Sequence, residues 1–77
     1  MALIQDAATT WSAPVTLTED EVWQAREGLI YVTTTASPTA GDGIALTERS
    51  AVQFAAGRVV RYRKEGTTQA TIVREAV

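Results

Sequence analysis

Gly43-Ile-Ala-Leu-Thr-Glu-Arg-Ser-Ala-Val-Gln-Phe-Ala-Ala-Gly-Arg-Val-Val-Arg-Tyr-Arg-Lys64 is the stretch whose reading decides the fold. It holds three short apolar runs, Ile44 to Leu46, Val52 to Phe54 and Val59 to Tyr62, separated by polar or glycine-bearing corners. In an extended chain successive side chains alternate, so Ile44 shares a side with Leu46, Val52 with Phe54, and Val60 with Tyr62. Period-two patterning in β-branched and aromatic residues signals strands with one buried face. The corners, Thr47 to Ala51 and Ala55 to Gly57, fit hairpin connections, with Gly57 free to take a positive φ.

The runs on either side extend the pattern. Val15 to Thr18 alternates and reads as a first strand. Leu29 to Thr35 is the strongest strand signal, with Ile30 and Val32 on one side and Leu29 and Tyr31 on the other. Apolar residues on both sides place that strand centrally or at an interface. Two readings compete between these runs. Thr18-x-x-Glu21 is a capping-box pattern and Gly28 suits a helix C-terminus, so a short helix over Glu19 to Glu27 is one. The favoured reading is a hairpin in Val22 to Thr35, turning at Arg26-Glu27-Gly28, because a lone helix this short is marginal without strong packing.

Pro38, Gly41 and Gly43 make Ala36 to Gly43 a loop. The chain turns again at Glu65 to Thr68, and Gln69 to Val77 closes the pattern with a last strand. Residues 1–14 read as an extended N-terminal arm preceding a single β-domain at 15–77. Trp11 reads as a core residue; the alternative is that it packs the arm down with its indole N–H bonded at the rim. The expected fold is all-β, a small antiparallel β-sandwich or barrel of about seven short strands.

Composition narrows the chemistry. The chain has 77 residues and neither cysteine nor histidine, so disulfides, the usual zinc site and a Ser/His or Cys/His nucleophile are excluded. Its core is small for its surface, and self-association is the expected staple. No cofactor or metal is expected: Glu19-Asp20-Glu21 diverge along a strand and read as a solvated acidic corner. No enzyme activity is expected. No apolar run approaches the ~18 residues of a membrane span, and Met1 to Asp6 lacks the basic-then-apolar order of a secretory signal.

Charge is uneven. Residues 1–35 carry five acids against Arg26, whereas residues 36–77 carry five arginines and one lysine against four acids. Nucleic acid is a poor partner for a chain with a net charge of −2. The run Arg58 to Lys64 is still the best candidate binding surface, with Arg61 and Arg63 on one side of a strand. Those arginines could contact phosphate, pair with the acidic corner, or lie across a subunit interface. The interface expected for a homo-oligomer comprises Leu29, Tyr31, Arg61, Arg63, Glu19 and Glu21. A glycan-binding alternative uses Trp23, Tyr31, Arg61 and Arg63, through stacking of aromatic rings on a sugar.

The succession Val22-Trp-Gln-Ala-Arg, Ile30-Tyr-Val-Thr-Thr, Asp42-Gly43-Ile-Ala-Leu, Phe54-Ala-Ala-Gly57 and Val60-Arg-Tyr-Arg63 resembles small β-rich structural proteins of tailed bacteriophages and gene transfer agents. The resemblance covers about residues 15–75, in motifs of glycine turns between alternating strands. It implies a virion protein made in the host cytoplasm: a capsid decoration, a head-spike or fibre base, or a tail component. It also implies self-association, docking onto other capsid or tail proteins, and no catalytic residues to carry over. Far-UV circular dichroism should show β-structure with little helix; a clear helical signature would restore the Glu19–Glu27 helix.

Overall fold

A computed structural model describes residues 2–67 and 69–77. Among these residues eight strands form two antiparallel four-stranded sheets, and there is no helix. In chain order they are β1 (Ala2–Ile4), β2 (Val15–Thr16), β3 (Glu21–Glu27), β4 (Ile30–Thr33), β5 (Ile44–Leu46), β6 (Ala51–Phe54), β7 (Val59–Lys64) and β8 (Thr71–Ala76). The first sheet has the order β1-β8-β3-β6 and the second β2-β7-β4-β5. The all-β architecture expected from the sequence is what the chain adopts, as a small sandwich.

Alternation generates the core. Glu21, Trp23 and Ala25 of β3 are buried while Val22 and Gln24 are half-buried, and Ile30 and Val32 of β4 are buried while Tyr31 is not. Leu17, Trp23, Ile30, Val32, Val60 and Ile72 are the largest fully buried side chains. Trp23 meets Phe54 edge to face at 5.8 Å and Tyr62 at 6.1 Å. Those contacts join β3 and β6 of the first sheet to β7 of the second. The strand around Tyr31 is central, as expected, with β7 on one side and β5 on the other.

The connections differ from the expectation. β3 and β4 lie in different sheets, so Val22 to Thr35 is not a hairpin, although both strands form and the competing helix does not. The corners at Thr47 to Ala51 and Ala55 to Gly57 likewise carry the chain from one sheet to the other. Only β4 and β5 are consecutive and paired. At the end of β3 the register with β8 shifts between Ala25 and Glu27, leaving Arg26 as a bulge. A bulge bends its strand, and Gly28 follows at φ 77°. A Cβ on Gly28 would also lie 3.0 Å from the Gln69 carbonyl oxygen, so this crossing needs glycine twice over.

The N-terminal segment read as an arm is woven into the sandwich. Ala2–Ile4 adds an edge strand to the first sheet by pairing with β8. Farther on, Lys64 donates its N–H to the Ala8 carbonyl at 2.8 Å and Ser12 to the Tyr62 carbonyl at 2.8 Å, so this stretch runs beside β7. Segment 2–16 therefore touches both sheets. The turn expected at Glu65 to Thr68 is described as far as Thr67; Thr68 and Met1 lie outside the described residues.

Ile30 tests the core face directly. It is fully buried in a central strand, and Ile30→Ala should cost about 2–5 kcal/mol in urea unfolding. An unchanged midpoint would mean that the buried face of β4 is the Tyr31 side.

Candidate interaction surface

β4 and β7 place Tyr31 opposite Arg63 and Thr33 opposite Arg61. All four project from the outer face of the second sheet, since Val32 and Tyr62 between them point inward. The Arg63 guanidinium lies 4.1 Å over the Tyr31 ring and 5.3 Å from the Trp11 ring. Its Nη2 donates to the Ala40 carbonyl at 2.7 Å, and Nη1 is 3.8 Å from the Glu65 carboxylate. Among the described residues Arg63 Nε is buried without a partner.

Trp11 closes this arrangement from the N-terminal side. Its indole N–H donates to the Thr39 carbonyl at 2.7 Å, and the Thr39 N–H donates to Asp42 Oδ2 at 2.8 Å. Gly43, at φ 101°, leaves room for the indole: a Cβ there would be 2.8 Å from Trp11 Cη2 and 2.9 Å from the Val32 carbonyl oxygen. Trp11 is thus a half-buried rim residue with its N–H bonded, rather than a core residue. Hydrogen bonding to the Glu65 carboxylate, with burial, raises the Tyr31 phenol above its ordinary range; Arg63 works in the opposite direction.

The second polar cluster sits at the end of the core. Arg74 lies opposite Trp23 in register, and its guanidinium is 5.1 Å from the indole ring. It forks onto Glu21, Nε to Oε1 at 2.9 Å and Nη2 to Oε2 at 3.0 Å. Trp23 Nε1 donates to the same Oε1 at 3.1 Å. The hydrogen bonds from Arg74 hold the Glu21 carboxyl below the usual range against the opposing effect of burial.

These positions redraw the expected sites. Trp23 has no exposed face, so it cannot stack on a sugar. Glu21 is 8% exposed and bound to Arg74 of its own chain, so it is not part of a solvated corner reaching for a neighbour. Glu19 does remain exposed. Leu29 and Tyr31 are half-buried, and Arg63 of the same chain lies over the Tyr31 ring. Arg61 and Arg63 share a face as read, but they donate to the carbonyls of Thr35 and Ala40 instead of meeting acids of the Glu19–Glu21 segment.

Sequence reasoning missed the roles of Arg74 and Asp6, and offered Trp11's place at the rim only as an alternative. Asp6 Oδ1 accepts a 2.8 Å hydrogen bond from the Tyr62 hydroxyl, tying the N-terminal segment to the core. Nothing local in the sequence pairs positions so far apart. Comparison with protein-family models, curated proteins and solved structures finds no match for this chain. The described surface has no pocket.

Burial, the bond to Asp6 and its charge push the Tyr62 phenol up to about 12, against about 10 in an unfolded chain. A raised pKa contributes stability that is full below about pH 10 and lost as pH rises towards 12. Tyr31 shifts in the same direction, so both tyrosines steepen that loss. Tyr62→Phe should lower stability near neutrality by about 1–3 kcal/mol and flatten the decline between pH 10 and 12. Denaturation curves across that window check it; an equally steep decline in the variant would rule out Tyr62 as its source.

Proposed function

We propose that this chain is a non-enzymatic structural subunit of a virion, a capsid decoration, head-spike or fibre base, or tail component, working by self-association and docking onto a particle. The observation that carries the reading is where apolar surface remains. Leu3 is 50% exposed on edge strand β1 and Ile44 53% exposed on edge strand β5. Strand edges with uncovered apolar side chains suit assembly with other protein surfaces. The likeness of residues 15–75 to virion structural proteins points the same way. The glycan alternative loses its principal ring with Trp23 buried, and Arg63 is occupied by contacts within the chain.

Mass spectrometry of particles purified from the source cells should find the chain at a fixed ratio to a major capsid or tail protein. Loss of the chain on further purification, while capsid proteins are retained, would remove the virion assignment. A parallel measurement of tryptophan fluorescence with added sugars should show no protection from quenching. Saturable protection would favour the glycan module, with Trp11 as its reporter.

A further inference from the structure

Residues 2–8 are held differently from the stretch that follows them. Only Ile4 and Ala7 among them are half-buried, both against the core, and the other five are exposed. β1 pairs on one side alone, with β8. Polar attachment comes from the β1 ladder, the Tyr62 hydroxyl donating to Asp6, and the Lys64 N–H donating to the Ala8 carbonyl. The chain then bends at Thr9 and Thr10, both exposed. Beyond the bend Trp11 is seated against Gly43 and the Thr39 carbonyl, and Ser12 makes two bonds to the Tyr62 backbone. Residues 11–12 are thus fixed in place, whereas residues 2–8 lie past an exposed hinge on edge contacts. Segments with so little apolar burial are the ones that open most readily. The seat they leave is another matter. Ile4 lies opposite Ile72, which is fully buried, so an empty seat uncovers core together with the backbone edge of β8.

We propose that residues 2–8 exchange between two copies of this chain, β1 of each pairing antiparallel with β8 of the other as the bend at Thr9 and Thr10 straightens. The proposal rests on the self-association reading above and names the segment that carries it. What fits the seat is known, because the segment itself fills it. Ala2, Leu3 and Ile4 lie opposite Arg74, Val73 and Ile72, Ile4 and Ala7 meet the core, and Asp6 accepts from the Tyr62 hydroxyl. A second copy offers the same residues in the same order. Exchange therefore remakes each of these contacts and alters only the hinge, which is why it is a low-cost route to a dimer. Two exchanged segments are related by a two-fold axis, so the assembly closes at two copies. Closed and exchanged forms differ in hinge geometry and in number of copies, and their balance follows mass action.

Two single-cysteine chains test the exchange, since the native chain has no cysteine. Leu3 and Val73 are cross-strand partners, and Val73 is 5% exposed, which shields a thiol there from chance collisions. Full-length Leu3→Cys and Val73→Cys chains, mixed while folded and then oxidised, should form a disulfide between positions 3 and 73 of different chains. Mass spectrometry of the digest identifies the link, and circular dichroism checks folding. Chains joined only through position 3, or not at all, would overturn the exchange. A chain carrying both substitutions, oxidised while dilute so that the bond closes within one copy, should associate at least about tenfold more weakly than wild type in sedimentation equilibrium. Unchanged association there would overturn the exchange while leaving self-association through another surface standing. A wild-type chain monomeric throughout, with no link between chains, would overturn both. If Val73→Cys does not fold, deletion of Thr9 and Thr10 decides. A shortened hinge keeps the segment from its own seat and favours exchange, so dimerisation should tighten at least about tenfold; no change would overturn the proposal.

Discussion

The two sheets meet on Trp23. Its ring touches Phe54 within its own sheet and Tyr62 from the other, and a chain of 77 residues without cysteine has few other means of holding two layers together. Burying an indole also buries a donor, which needs a partner. Glu21 supplies it, and a buried carboxylate in turn needs compensation. Arg74 supplies that through a bidentate fork while lying over the same ring. One aromatic residue thus accounts for an acid and a base on neighbouring strands at the end of the core. Opposite charges in the two halves of the chain, visible in the sequence, are used here inside one molecule.

Arg63 repeats the logic on the outer face. A planar guanidinium between two rings gains cation–π attraction of about 0.5–2 kcal/mol per ring, depending on solvent exposure, and its fork still reaches a loop carbonyl. A lysine would keep the charge without the plane or the fork. Arg63, in the basic run that looks like a binding surface in the sequence, is therefore spent on fastening the loop at 36–43 and the N-terminal segment to the sheet, whereas Arg58 stays exposed.

Strands were legible because alternation is a local property. Ile30 and Val32, Val60 and Tyr62, and Phe54 point inward as their spacing requires, and Gly28 marks a real change of direction. What joins to what was not legible. A hairpin and a crossing between sheets use the same alternation and the same glycine-bearing corner; they differ in whether the inner faces of the two strands lie side by side or face one another. The bulge at Arg26 settles that at β3, and no residue type announces it. Glu21 misled for a related reason. A carboxylate within Glu19-Asp20-Glu21 reads as part of a solvated corner until Arg74, far along the chain, is brought beside it.

The crossing pattern has a kinetic consequence. Every connection except β4 to β5 passes between the sheets, so most strands find their ladder partners only after distant parts of the chain have met. Loop-closure entropy is lost before those contacts compensate it, and folds of such high contact order form in milliseconds to seconds rather than microseconds. The first sheet needs β8 between β1 and β3, so it cannot be completed until the last strand has been synthesised. Until then β3 lacks one neighbour. The order in which this chain leaves the ribosome therefore bears on how long that edge of β3 stays unpaired.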